Sequence, residues 1–284
     1  MFVDELLRER YPEESFITAR LSGGDINEVF RATGDHHDFV IKFNSSERFP
    51  AMFEKEAEGL HYLAGTETIA TPEIDQAGEL LDKQYLIMSY VEGGFRSVEF
   101  WRNFGHHLAA LHKSRSGFFG LESSNYIGSL KQVNAPTKSW EEFLITQRFQ
   151  PMIKMATDAA IIGNNEVRLF EKFMDHIDEL WPDEPPALIH GDLWSGNFIP
   201  AANNHPVLID PAVYYGHREM DIGMMHLFGG FDPSLFNAYN ETYPLEPGWQ
   251  DRIPYNQLYP LLVHVNLFGR SYWSSIKEII SPFG

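Results

Sequence analysis

The sequence predicts an α+β protein of two lobes, a mostly antiparallel β lobe over residues 1–92 and a mostly helical lobe over residues 93–284. Three observations predict it. Short runs with apolar residues at alternate positions dominate up to about residue 95, and patterns with a helical period dominate after it. Between them lies Val91-Glu92-Gly93-Gly94, just after a hydrophobic strand-like run, where two glycines relax the backbone.

In chain order, β-type runs cover residues 15–22, 26–32, 39–43, 74–80 and 84–90, with one helix over 51–64 between the third and the fourth. The third run shows the pattern plainly: Phe39, Ile41 and Phe43 share one face, Val40 and Lys42 the other. In the helix, Met52, Phe53, Ala57, Leu60, Leu63 and Ala64 fill one arc, with Glu54, Lys55 and Glu58 opposite. Helical patterns then cover 98–112, 140–157, 166–180, 221–228 and 257–280. A β-like stretch over 187–209, rich in Gly, Asn and Pro, separates the third of these from the fourth.

Charge narrows the function classes. With 22 Lys+Arg against 40 Asp+Glu, the net charge of −18 argues against nucleic acid or an anionic membrane as partner, because both repel a negative surface. A small anion such as a nucleotide stays admissible where a metal ion and a few cations gather. The absence of cysteine removes disulfides, thiolate metal sites and Cys nucleophiles. No apolar run is long enough to predict a membrane span. Residues 1–10 carry three acidic side chains and no apolar core, so they do not read as a signal peptide, and a cytoplasmic location is the expectation.

The most informative stretch is His190-Gly-Asp-Leu-Trp-Ser-Gly-Asn197, followed by Val207-Leu-Ile-Asp210. One apolar run delivers Asp192 into a turn that Asn197 closes, and a second delivers Asp210. Two carboxylates and an amide presented from adjacent strand ends suit Mg²⁺, which takes oxygen ligands and leaves the remainder to water and phosphate. The spacing from Asp192 to Asn197, with an Asp after the next strand, matches the catalytic loop and metal-binding Asp of phosphoryl transferases. A polar β-turn with an Asp cap gives the same spacing.

The first lobe tips that balance. Gly23-Gly24 lie between two strand-like runs, where a Gly-rich hairpin lays amides over phosphates or simply turns the chain. Glu56 is the only charge inside the apolar arc of its helix, and a carboxylate facing a core needs a cation. Lys42, one strand earlier, is the natural partner, and a strand Lys paired to a helix Glu is a nucleotide-positioning device. The adjacent pairs His36-His37 and His106-His107 chelate poorly, and His112 lies on an apolar helix stripe as a core histidine.

These pieces resemble the fructosamine kinase (ketosamine kinase) family, within the aminoglycoside phosphotransferase-like and protein kinase-like fold. The resemblance runs nearly end to end, through Asn125-Tyr-Ile-Gly-Ser129, Gln147-Arg148, Gln150-Pro151, the two motifs above and Asp210-Pro-Ala-Val-Tyr-Tyr-Gly-His-Arg-Glu219. It implies ATP and Mg²⁺ as cofactors, Asp192 as catalytic base, and Asn197 and Asp210 as metal ligands. It also implies Gly23, Gly24, Lys42 and Glu56 at the nucleotide phosphates and Ser89, Tyr90 and Val91 at the adenine. The acceptor it implies is a sugar hydroxyl of a small ketosamine or glycated amine, in deglycation or salvage. Trp194, which follows the base by two positions, is a candidate to stack on that substrate. On the last helix, Tyr259, Asn266 and Trp273 share a flank that either walls the acceptor pocket or packs on a neighbouring helix, with Leu258, Leu261, Leu262, Val265 and Phe268 expected to face the core.

Three other functions stay open at this stage. They are a kinase for an aminoglycoside, choline or another sugar, a silent nucleotide-binding protein of the same fold, and a metallohydrolase built on His190 and Asp192. The last lacks further well-spaced imidazoles.

Overall fold

A computed structural model describes residues 2–21 and 26–284. Helix α1 (Phe2–Arg10) is followed by β1 (Ile17–Arg20), β2 (Glu28–Thr33) and β3 (Asp38–Ser45), then α2 (Met52–Ala64), β4 (Ile74–Leu80) and β5 (Lys83–Ser89). The five strands form one antiparallel sheet in the order β1-β2-β3-β5-β4. Alternation in β3 divides the faces as the sequence predicts. Phe39, Ile41 and Phe43 pack with Val3, Leu6 and Leu7 of α1, while Val40 packs with Phe53, Ala57, Leu86 and Met88 on the α2 side. Lys42 is on that second side, 6% exposed. Helix α1 is absent from the sequence reading: nine residues that bury only three side chains leave too weak a period to see.

The second part begins with α3 (Val98–Leu111), capped by Ser97, whose hydroxyl accepts from the Phe100 N–H at 3.1 Å. Next come a two-stranded hairpin, β6 (Asn125–Ile127) and β7 (Leu130–Gln132), then α4 (Trp140–Phe143), a π-helical turn (Leu144–Phe149) and α5 (Gln150–Asp158). Helix α6 (Asn164–Met174) leads to β8 (Ala187–Ile189), β9 (Phe198–Pro200), β10 (Pro206–Leu208) and β11 (Tyr214–Gly216), where β8 pairs with β11 and β9 with β10. Five helices complete the fold: α7 (Glu219–Phe228), α8 (Pro233–Thr242), α9 (Trp249–Asn256), α10 (Leu258–Phe268) and α11 (Trp273–Ile280).

Two predicted helices are corrected. The one expected over 257–280 breaks at Gly269, whose φ of +96° is cheap only for glycine, into α10, a short 3₁₀ turn and α11. The one expected over 140–157 contains the π turn. Helices α8 and α9 lie where no element was predicted. Among the described residues, no helix is long and apolar enough to cross a membrane.

Candidate functional site

Strand β8 ends at Ile189, and after His190 the chain turns sharply through Gly191, whose φ is +82°. A Cβ at Gly191 would collide with the carbonyl oxygen of Ala212, so the turn needs glycine twice over. Asp221, wholly buried near the start of α7, accepts the backbone N–H of His190 at 2.8 Å and of Gly191 at 2.9 Å. Its Oδ2 also meets His112 Nε2 at 3.2 Å, and His112 Nδ1 meets the Tyr239 hydroxyl at 2.8 Å. His112 is thus the satisfied core histidine the sequence indicates. The ring of His190 meets the carbonyl of Ile209 at 2.9 Å and ties this loop to the residue before Asp210. Asp210 itself sits at φ +55°, a conformation that Asp tolerates better than most residues.

Asp192 follows the glycine. Asn197 Nδ2 donates to its backbone oxygen at 2.8 Å and to its Oδ2 at 3.1 Å. Burial, reinforced by the negative charge of Asp210, pushes the Asp192 carboxyl up to about 7 against the opposing bond from Asn197. With Nδ2 committed, Asn197 keeps Oδ1 free of donors among the described residues.

Lys42 joins the two lobes. Its Nζ lies 2.7 Å from Glu56 Oε1 and also pairs with Asp210 Oδ1. Burial works against its charge, but these two carboxylates more than offset it and hold the ammonium above its ordinary range. Glu56 moves up, because burial and the charge of Asp210 outweigh Lys42. One buried cation shared by two carboxylates is an arrangement a further cation would relieve.

Three cavities meet here. One, of about 510 Å³, lies under the sheet between Val29, Val40 and Met88 above and Ile199 and Ile209 below. Lys42, Asn197 and Asp210 line it, as do Ser89, Tyr90 and Val91 where the chain leaves β5. The Ser89 N–H donates to Glu73 O and the Tyr90 N–H to Asp38 O, both at 2.8 Å, so the Val91 N–H is the one of the three without a bond to the described residues. A second cavity, also about 510 Å³, lies between Asp192 and Trp194, the β6–β7 hairpin at Ile127 and Gly128, and the apolar flanks of α7 and α10. A third, of about 210 Å³, is lined by Glu56, Asp192, Asn197 and Asp210 together.

The structure therefore brings Asp192, Asn197, Asp210, Lys42 and Glu56 together and lines the first cavity with Ser89, Tyr90 and Val91. Trp194 is 40% exposed and borders both large cavities instead of sitting in the core. Gly23 and Gly24 lie outside the described residues. Asn266 and Trp273 line none of these three cavities. The Asn266 amide donates to Met152 O at 3.0 Å and Leu262 O at 2.8 Å, and Trp273 is buried in the core. Phe268, expected in the core, is 56% exposed and lines the second cavity with His264 of α10 and Phe228 of α7. The sequence reading missed these three because α7 and α10 are both apolar on most sides, so their period cannot choose the flank that meets a cavity. It also missed Asp221, whose partners are remote in sequence.

The fructosamine kinase family model matches residues 5–283. The chain belongs to the fructosamine kinase family. This is a family of phosphotransferases that act on an alcohol group. The chloroplastic protein-ribulosamine 3-kinase of Arabidopsis thaliana is 39% identical over 272 residues, covering 93% of this chain and 81% of that one. A probable ketoamine kinase of Enterococcus faecium is 36% identical over 265 residues, covering 92% and 93%. A crystallised candidate fructosamine-3-kinase from Thermobifida fusca superposes with a TM-score of 0.86 at 35% identity, covering 95% of this chain and 94% of that one. Aminoglycoside phosphotransferase APH(4)-Ia shares the fold, with a TM-score of 0.68 at 15% identity over 98% of this chain and 97% of that one. The bilobal kinase-like fold of the fructosamine kinase family is thus the fold of this chain.

Proposed function

We propose that the protein transfers the terminal phosphate of ATP, with Mg²⁺, to a sugar hydroxyl of a ketosamine such as a fructosamine or ribulosamine. One observation carries this reading: Asp192, Asn197 and Asp210 line a single small cavity lying between two larger ones. The cavity under the sheet takes the nucleotide, with the Ser89 carbonyl and the Val91 N–H serving the adenine and Lys42 the phosphates. The cavity beside Trp194 takes the acceptor.

The residues present fit magnesium. Asn197 Oδ1 and the Asp210 carboxylate are hard oxygen donors, and Mg²⁺ needs few protein ligands beside phosphate and water. When bound, the ion screens the charge of the phosphates as the terminal group moves. Lys42 is kept charged by Glu56 and binds a phosphate oxygen. Asp192 orients the acceptor hydroxyl and takes its proton, and Asn197 keeps the carboxylate aimed through its 3.1 Å bond. Phosphorylation of the sugar makes the adduct labile, which supports a role in deglycation or salvage.

The test is transfer from ATP to fructosyl-lysine and ribulosyl-lysine, followed by ADP release and by the mass of the product. Asp192→Asn lowers turnover by about 10²–10⁴-fold and leaves nucleotide binding nearly intact. Turnover retained by that variant, or a clear preference of the wild-type chain for an aminoglycoside, rejects the assignment.

A further inference from the structure

Among the described residues the hairpin β6–β7 belongs to no larger sheet, and an isolated two-stranded hairpin is marginal in water. Yet it supplies Ile127 and Gly128 to the cavity beside Asp192. What fastens it is polar and buried. Asn125, Gln132 and Asn134 are 5%, 1% and 1% exposed. Asn125 Nδ2 donates to Val213 O at 2.9 Å and Gln132 Nε2 to Ala212 O at 3.0 Å, two carbonyls that lie just beyond Asp210. Gln132 Nε2 and Asn134 Nδ2 both donate to Asn125 Oδ1, at 2.8 and 2.9 Å. The Tyr259 hydroxyl of α10 donates to Gln132 Oε1 at 2.7 Å.

Arg148 closes this group. Its Nη2 donates to Asn134 Oδ1 at 2.7 Å and its Nη1 to Val133 O at 2.6 Å. The side chain is 0% exposed and makes no ion pair with a carboxylate among the described residues. Its guanidinium instead lies over the rings of Tyr214 and Phe143, at 4.0 and 4.4 Å from their centroids. Burying a cation without an anion is costly, so its survival here calls for a use.

The local sequence turns it inward. Pro151 has no N–H to give Gln147 O, and its ring crowds that carbonyl. The helix widens into the π turn, the Gln150 N–H bonds to Ile145 O, and Gln147 O accepts from Arg148 Nη1 at 3.1 Å. Such turns recur at functional sites.

We propose that Arg148 is a positioning residue for the phosphoryl acceptor: through Asn134, Asn125 and Gln132 it locks the β6–β7 hairpin to the segment after Asp210, and so sets the spacing between the acceptor wall and the phosphate-handling carboxylates. This rests on the reading that the acceptor occupies the cavity beside Asp192. The cavity under the sheet has no wall in the hairpin, which reaches only the acceptor cavity and, through Asn125, Tyr126 and Gly128, the small cavity between them, so the nucleotide responds less than the acceptor to loss of the lock.

The test is steady-state kinetics of the full chain with ATP and ribulosyl-lysine, for the wild type, Arg148→Met, Arg148→Lys and Tyr259→Phe. Acceptor KM is expected to rise about tenfold in Arg148→Met, with nucleotide KM within about twofold of wild type. Arg148→Lys restores part of the loss, and Tyr259→Phe moves acceptor KM the same way by less. No transfer by the wild-type chain overturns the functional reading and this inference with it. Transfer by the wild type, with both KM values rising in equal proportion in the variants, overturns the inference alone. Should Arg148→Met fail to fold, Tyr259→Phe removes one hydroxyl and keeps the ring; an unchanged acceptor KM in that variant overturns the proposal.

Discussion

Asp221→Asn measures how far one buried carboxylate shapes the turn that carries Asp192. Asp221 is 0% exposed and receives the N–H groups of His190 and Gly191 at 2.8 and 2.9 Å, with His112 Nε2 at 3.2 Å. An asparagine keeps one acceptor and replaces the other with an NH₂ that faces a backbone N–H. One buried donor is then left unsatisfied, at about 1–3 kcal/mol, and the remaining bonds lose their ionic partner, at about 1 kcal/mol more. The expected destabilisation is therefore about 2–4 kcal/mol. Burial alone would push the Asp221 carboxyl up, but the bonds from His112 and Gly191 and the nearby imidazoles outweigh it and hold it below the ordinary range. A depressed folded value means its stabilisation is complete above the unfolded value of about 3.9 and is lost as pH falls through the folded one, so neutral pH reads the whole effect. Urea unfolding at pH 7, followed by tryptophan fluorescence, measures the stability. Turnover should fall about tenfold or more, since Asp192 follows Gly191 directly and its aim depends on that turn. A cost below about 1 kcal/mol with unchanged turnover would refute the reasoning, because it would mean the two N–H groups have other acceptors.

Gly191→Ala forces an L side chain into φ +82° and against Ala212 O, so the urea midpoint should drop by the equivalent of at least about 1–3 kcal/mol; an unchanged midpoint contradicts the turn as described. Acid should weaken the fold before the carboxylates protonate. Burial holds the His217 imidazole below its ordinary value against the pull of Glu219 and Glu184, with Arg218 and Arg252 acting in the same direction as burial. Its stabilisation is therefore present above the unfolded value of about 6.5 and lost as pH falls below it, at up to about 1.4 kcal/mol per pH unit. Urea midpoints measured between pH 7.5 and pH 5 should slope downward, less steeply in His217→Phe, and a flat profile would count against a neutral buried ring.

The cluster of Lys42, Glu56, Asp192, Asn197 and Asp210 was legible in the sequence because its residues break a pattern. Glu56 is one charge in an apolar arc, and a charge aimed at a core must find a partner; that partner is Lys42, at 2.7 Å. Asp192, Asn197 and Asp210 follow apolar runs that end in turns, and the two short strand pairs β8–β11 and β9–β10 bring those ends together. The five-stranded sheet was legible for the same reason, since period-2 alternation is a local signal. The elements that escaped notice are short or interrupted. Helix α9 contains Pro254, α8 is mostly polar on its outer face, and Gly269 splits what reads as one continuous helix.

The lining of the second cavity was misread for the opposite reason. Its wall is apolar, and an apolar residue on a helix carries the same pattern whether it faces a core or a cavity. Phe228 and Phe268 are 44% and 56% exposed, whereas Trp273 is 4% exposed, and nothing in their spacing separates the two outcomes. The separation comes from tertiary placement. Gly269 turns the chain, α11 swings Trp273 into the core, and Phe268 is left at the rim beside His264. Asp221 and Arg148 share a related difficulty. Each is a buried charge whose partners sit on other elements, 30 to 109 residues away for Asp221 and 14 and 15 for the Asn134 and Val133 partners of Arg148, so no single helical or strand period shows both halves of the interaction. Charge surrounded by apolar sequence therefore points to a polar cluster, whereas the lining of the second cavity rests on hairpin placement and helix phase. Substitutions in β6–β7, α7 and α10 should accordingly alter which acceptor is taken while leaving the Lys42–Glu56 pair undisturbed.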